Sequence, residues 1–430
     1  MKTLRFAIAA VAVIGSVSAF ATNARVECMG KNSSFIMDDI SIFDNPANIN
    51  LYPNFLIGEL GNYLYPTKIE QGENRDPLDA WFGGIFSLKI SADNSLSIAG
   101  VLNRKEERLL KYFPDYIMGS NGISKKAPEP VTNFDGFLGA NLDNKAFGLH
   151  IYIAHQDGID GDGNITTDGF VSALQLDAGT NIEISSDYSV EASIGTARMQ
   201  YGPSERKFFD TDLLSFFFDA RVFSRISAIN GHLIPVISFR NMNAPGRDEL
   251  DVGAGMGVDA AFDRGFFWLG LKGFYNKQRA GDTWVKTSGE TVYMGLEDDT
   301  WGYDRTTLWQ VGGTISFGIE RNIWWDWFVM RVGGHKTIAY ADYNNSGADK
   351  QNNVSNVLCP TRGGCPDNGN YFVTNPSNDG TKNDNVGFGF GINIEEKLKI
   401  DATIAEDVPF RNLFQGEGRL ISRISATYSF

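Results

Sequence analysis

Apolar residues recur at every second position through most of this chain. The clearest runs are Phe147, Leu149, Ile151 and Ile153; Val252, Ala254, Met256 and Val258; Ile315, Phe317 and Ile319; and Phe388, Phe390 and Ile392. The positions between them are mostly small or polar, as in Asp251, Gly253, Gly255, Gly257 and Asp259, or Gly387, Gly389 and Gly391. Successive side chains of a strand point to opposite faces, so a period of two predicts β-strands. The segments are about one tilted membrane strand long, ~9–11 residues. One face apolar and the other small or wet is the pattern of a strand between lipid and an aqueous lumen.

The links between strands sharpen this. Short turns are expected at 91–95, 143–145, 227–231, 263–265, 320–323 and 395–397. Long polar stretches are expected at 106–132, 156–168, 202–212, 242–250, 278–305, 342–383 and 407–418. Outer-membrane barrels alternate short periplasmic turns with long outer loops in this way. The link 179–187 is the exception, longer than its place requires. With 56–65 as the first strand, the chain is expected to be all-β, an antiparallel transmembrane β-barrel of sixteen strands ending with 384–394, 398–406 and 419–430. Fourteen is the second choice, with 56–65 and one other segment serving as plug or loop.

Aromatic clusters fall near the expected interfaces. Phe266, Phe267 and Trp268, and Trp324, Trp325, Trp327 and Phe328, open strands on the short-turn side. Rings with a polar edge favour that boundary. In the last strand Ile424, Ala426, Tyr428 and Phe430 share one face, and Arg423, Ser425, Thr427 and Ser429 the other. Such a terminal strand resembles the signal read by barrel-insertion machinery, so Phe430 is the expected contact with that partner.

Lys2 and Arg5, an apolar run from Phe6 to Ile14 and the small-residue site ending at Ala21 follow the order of a secretory signal peptide. Cleavage near Ala21 gives the expected division: signal peptide 1–21, plug segment 22–55 and barrel 56–430. Export to the outer membrane of a Gram-negative bacterium follows, with membrane lipid as the surrounding partner. Losing Lys2 and Arg5 takes the net charge from -14 to -16, which disfavours nucleic acid, whose binding rests on Lys and Arg. Cys359 and Cys365 lie six apart in a Pro- and Gly-containing stretch, where a disulfide is expected after export. Cys28 is left as a buried thiol.

Ala24-Arg25, Met29-Gly30, Asp38-Asp39 and Phe43-Asp44-Asn45-Pro46-Ala47 occur in that order. This resembles the N-terminal segment of FadL/PorV-type outer-membrane proteins. Two features depart from the pattern: 31–36 replaces a glycine-rich stretch, and Cys28 stands where a small residue is common. The resemblance implies passage of hydrophobic or amphipathic small molecules, or, as in PorV-type relatives, anchoring of an exported protein at the cell surface. A general solute porin is the third reading.

Residues 22–55 are too irregular for a strand, yet Phe35, Ile36, Ile40, Ile42 and Phe43 are apolar at partly helical spacing. The segment is expected to fold inward as a plug, with Asn45-Pro46 ending its helix, because the residue before proline is pushed out of the α region. Asp38, Asp39, Asn45 and Pro46 are candidates for plugging or gating; for the two aspartates, hydrogen bonding to the plug backbone is the preferred reading, and contact with cargo or gating the other. Candidate lumen residues are Gly253, Gly255, Gly257, Trp268, Lys272, Gly387, Gly389, Gly391 and Arg423, with Phe217, Asp219, Arg221, Ile234, Val236 and Arg240 beside them.

No catalytic constellation is present in the sequence: it has neither G-x-S-x-G nor H-E-x-x-H, and its four histidines are scattered, His150 and His155 on opposite faces of one strand. The chain is not expected to be an enzyme or to bind a metal or cofactor. Asp157, Asp160 and Asp162 space oxygens as a calcium loop does, but without the glycine and closing glutamate of an EF-hand. A solvated acidic loop is the preferred reading.

Overall fold

The computed structural model describes residues 23–30, 32–60, 80–110, 116–118, 124–126, 132–159, 165–202, 214–244, 247–281, 283–287, 290–294, 305–345, 369–374, 386–395, 397–404 and 421–430. The signal peptide, Asp160, Asp162, Cys359 and Cys365 lie outside them.

Sixteen antiparallel strands close into a barrel. They are β1 (Phe55–Leu60), β2 (Trp81–Lys89), β3 (Asn94–Leu102), β4 (Thr132–Leu142), β5 (Lys145–Ile159) and β6 (Ile165–Ser185). Next come β7 (Tyr188–Gly202), β8 (Ser215–Ile226), β9 (Gly231–Ala244), β10 (Arg247–Phe262) and β11 (Gly265–Gly281). The last are β12 (Arg305–Asn322), β13 (Phe328–Asn345), β14 (Val386–Ile394), β15 (Leu398–Ile404) and β16 (Ile421–Ser429). Each pairs with its neighbour, and β1 pairs with β16 from Phe55↔Ser429 to Leu60↔Ile424, which removes the sheet edges. One extra strand, Gly369–Thr374, lies along the outer half of β13. The first-choice count of sixteen holds.

The sheet is inside out relative to a soluble protein. On β5, Leu149 is 57% exposed and points outward, while the adjacent His150 is 3% exposed and points inward. An apolar outer surface on a closed ladder of paired strands suits a bilayer. Among the described residues no helix is long and apolar enough to cross a membrane.

Three links differ from expectation. The supposed long link 179–187 is strand: β6 runs to Ser185, and two residues turn the chain into β7. Gly179 and Asn181 broke the apolar pattern because they face packed chain inside the barrel. The stretch 242–250 is also mostly strand, with Met242↔Glu249 and Ala244↔Arg247 in register. Its polarity reflects β9 and β10 rising beyond the apolar band. The turn expected at 320–323 instead occupies 323–327, because Glu320 is held inside the barrel and β12 continues to Asn322. Trp324 takes the left-handed backbone of that turn, at φ 62.

Candidate functional site: the N-terminal segment and the lumen

Residues 23–53 form a short helix, Asn23–Cys28, and three 3-10 turns, Ser33–Phe35, Asp39–Ile42 and Pro46–Leu51. Asn45 does not end a helix as expected; it begins one. Its side chain accepts from Ala47 N at 3.1 Å, and Pro46 takes the first turn position. The extended backbone that proline imposes on its predecessor is also the backbone of a helix cap, and proline's missing N–H costs nothing at a helix start.

The segment touches the inner wall on all sides. Phe43, Ile49 and Tyr52 pack with Trp81, Ile85, Val101 and Phe137 of β2–β4. Met29, Phe35 and Ile36 pack with Phe223, Ile234, Val236 and Trp268 of β8–β11. Each such side chain contributes roughly 1.5–3 kcal/mol when fully buried.

Close approach of backbone to wall is made by three rows of glycines in register. Gly139, Gly148 and Gly179 lie under Asn45, Pro46, Ile49 and Asn50. Gly257 and Gly270 flank the ring of Phe35. Gly318, Gly333 and Gly387 lie under residues 27–30. A Cβ at any of these positions would overlap the segment, so the smallness of the wall there is a matter of room rather than backbone freedom.

Charged groups complete the contact. Arg25 is buried, and its Nε and Nη2 donate to the Glu320 oxygens at 2.8 and 2.7 Å. Arg331 joins the same carboxylate at 3.0 Å and donates to Asp401 at 2.6 Å. Across the lumen, Arg221 donates to Glu191 at 2.7 Å and to the carbonyls of Ser33, Ser34 and Ile36. Near β16, Arg423 meets Glu27 at 3.2 Å and Glu59 at 3.3 Å.

A fourth network holds residues 103–109, which follow β3 and fold inward. Arg104 donates to Asp135 at 2.6 Å and to Glu106 at 3.0 Å, with its guanidinium 3.8 Å from the centre of the Phe43 ring. Arg108 donates to Glu106 and to the Phe43 carbonyl. Burial alone would raise the Glu106 carboxyl, but the guanidiniums of Arg108 and Arg104 outweigh it and hold it well below the usual carboxylate range. His150 bridges Asp135 and Asp177 at 2.9 and 2.6 Å.

The residues singled out in the sequence take definite places. Trp268 stacks obliquely on Phe35, centroids 5.9 Å apart, beside Gly318. Gly253 adjoins Ser238 and Lys272, and Gly255 adjoins the Lys272 backbone. Gly387 and Gly389 lie against Glu27 and Cys28, and Gly391 against Arg331 and Asp401. Cys28 donates toward the Phe388 carbonyl, and burial pushes its thiol up to about 12, which leaves it unreactive in place. Asp157 ends near the outer edge of β5. Sequence reading missed the partners of Arg25, the Glu191–Arg221 pair and the whole network around Arg104. Glu191, Asp135, Glu320 and Asp401 stand at inward positions of alternating strands, and that parity was the available signal.

Above the segment is a cavity of about 60 Å³, lined by Ser33, Ser34, Asp44, Glu191, Ser193, Asp219, Arg221, Ser238, Arg240 and Lys272. Further toward the long loops, the inward positions of the same strands turn apolar. Ala197 and Met199, Phe217, and Met242 and Ala244 cluster with Tyr152, Ala154 and Ala173. Leu109 of the inward-folded turn Glu107–Leu110 packs into that cluster.

No family model matches the chain, and no curated protein matches its sequence. Solved structures that resemble it include the TodX monoaromatic hydrocarbon channel, as a deltaS2 mutant, at 11% identity and TM-score 0.38, covering 95% of this chain and 98% of that one. The Pseudomonas putida toluene transporter TodX is similar at 11% identity and TM-score 0.31, with 95% and 97% covered. The copper transporter OprC is similar at 9% identity and TM-score 0.33, with 82% and 64% covered.

Proposed function

We propose that this chain is an outer-membrane channel for hydrophobic or amphipathic small molecules, with residues 23–53 acting as a plug at the short-turn end. The observation that carries this reading is the layering of the lumen. An apolar patch built by Phe217, Met242, Ala197 and Met199 stands directly outside a polar cavity holding Arg221, Arg240 and Lys272. A water-filled porin has no use for a greasy layer in its lumen. A molecule with an apolar body and a polar end is offered both surfaces in sequence. Leu109 and its turn cover the patch from the loop side, where such a molecule would arrive.

The test is uptake into liposomes holding the full-length protein, with a fluorescent long-chain fatty acid and a neutral sugar as probes. The fatty acid is expected to enter faster than into protein-free liposomes, and Met242→Asp is expected to slow it, while the sugar stays excluded. Equal passage of both probes would make the chain a general porin.

A second reading is favoured by one observation: the segment is gripped from β6 round to β16, as a permanent stopper would be. On that reading the chain is an accessory barrel that anchors an exported protein at the cell surface. Passage of neither probe would establish it over the channel.

A further inference from the structure

Asp38 and Asp39 are adjacent, both are fully buried inside the barrel, and none of their four carboxylate oxygens has a hydrogen-bond partner. Asp38 stands immediately before the turn Asp39–Ile42 with extended backbone, where an aspartate ordinarily accepts from the turn's N–H groups; the Ser41 N–H lies near its carboxylate, but no such bond is formed. Burying an ionised carboxylate without partners is far more costly than burying the neutral acid.

The surrounding charges do not call for two more anions. Arg25 and Arg221 face Asp38, with Asp44 opposing them; Arg25 and Lys399 face Asp39, with Asp401 opposing. The Tyr52 hydroxyl adjoins the pair, and Glu191 lies near it. Arg25 binds Glu320 through Nε and Nη2, with its Nη1 buried and unbonded, and Arg221 binds Glu191, so each nearby guanidinium already has a carboxylate of its own.

We propose that Asp38 and Asp39 form a proton-operated latch: the N-terminal segment seats with both acids neutral, and losing a proton from the pair loosens it from the lumen. This rests on the reading of the segment as a plug. Burial pushes Asp38 up to about 7, and burial together with Asp38 holds Asp39 well above the usual range. An acid raised in the seated state favours seating fully below its ordinary value of 3.8, and that advantage is lost as pH rises through about 7. Within that window the seating constant falls by about tenfold per pH unit for each such group. The latch is therefore closed in acid and loosens toward neutrality.

Cys28 supplies the readout, because its thiol is buried only while the segment is seated. Full-length wild type and the Asp38→Asn/Asp39→Asn protein are labelled with a methanethiosulfonate in liposomes from about pH 5 to about pH 8, and modification of Cys28 is followed by peptide mass. The rate is expressed as wild type over variant at each pH, which cancels ionisation of the thiol itself. The ratio is expected to rise with pH, by at least about tenfold between the acid and alkaline ends. A ratio flat across the range overturns the latch. If the double variant yields no heat-modifiable barrel, Asp38→Asn alone takes its place with the same criterion. Fatty-acid uptake by the same liposomes separates the two ideas. Labelling that rises without any uptake at any pH keeps the latch and removes the channel; labelling that stays flat removes the latch whatever uptake does.

Discussion

Arg25 and Glu320 meet two-pronged inside the barrel, at 2.8 and 2.7 Å, across 295 residues of chain. Neither is exposed to water in this arrangement, so removing Arg25 leaves a buried carboxylate with one ion pair, to Arg331, in place of two. Arg25→Ala is expected to weaken seating of the segment by about 3–5 kcal/mol while the barrel stays folded. Arg25→Lys should retain the charge but lose the fork, with an intermediate effect. Labelling of Cys28 measures both; an Arg25→Ala protein as protected as wild type would show that Arg331 alone suffices for Glu320.

Gly148 lies under the Pro46 carbonyl, whereas Gly273, on the lipid side of β11, has nothing nearer than 3.8 Å to where a side chain would start. Gly148→Val is expected to lift residues 45–52 off the wall, seen as faster hydrogen exchange there by mass spectrometry. Gly273→Val should leave exchange unchanged. Equal behaviour of the two would mean that the glycine row has no steric role.

Phe390 and Gly389 are neighbours on β14 with opposite surroundings. Phe390 faces outward and stacks on Phe328, centroids 6.2 Å apart, while Gly389 lies against the Cys28 sulfur. Phe390→Arg is expected to lower bilayer folding stability by roughly 2–4 kcal/mol, the cost of a cation on the lipid face. Gly389→Arg should leave barrel stability nearly intact but evict residues 27–30. Denaturant titration in vesicles reads the first and proteolysis of the N-terminal segment the second. Equal loss of barrel stability in both would argue that β14 is buried on two faces.

Phe430 closes the seam: its N–H donates to the Asn54 carbonyl at 3.1 Å, and its ring lies 5.7 Å from that of Phe86. Phe430→Asp is expected to leave secretion intact and to abolish insertion, with no heat-modifiable protein in outer-membrane fractions. Normal amounts there would remove Phe430 from the insertion signal.

The barrel itself was legible because alternation is a local property: each strand announces its own two faces. Sixteen strands followed from counting them. Polar strand ends such as 242–250 were misread, since local polarity cannot separate a strand standing in water from a loop. The N-terminal segment showed its apolar residues, but Asn45-Pro46 carries the same backbone restriction whether a helix stops or starts there. Gly387 and Gly389 were visible as inward glycines, yet nothing in their own strand told that Cys28 occupies the space. The ion pairs were hidden for a related reason: Glu320 and Arg25 are matched only by the closed barrel, and no periodicity links positions 295 residues apart.

The hydrogen bond from Thr403 Oγ1 to the Ala24 carbonyl, 379 residues apart, fixes an order of events as well as a position. Residues 23–28 are made before β15 and β16, which form part of their binding surface. The segment must therefore wait, apolar side chains unsheltered, until nearly the whole chain has arrived. Seating then coincides with joining β1 to β16, and contacts of such sequence separation make that step slow. A holding factor for the unfinished chain has its clearest target in the earliest residues, not in the strands that follow them.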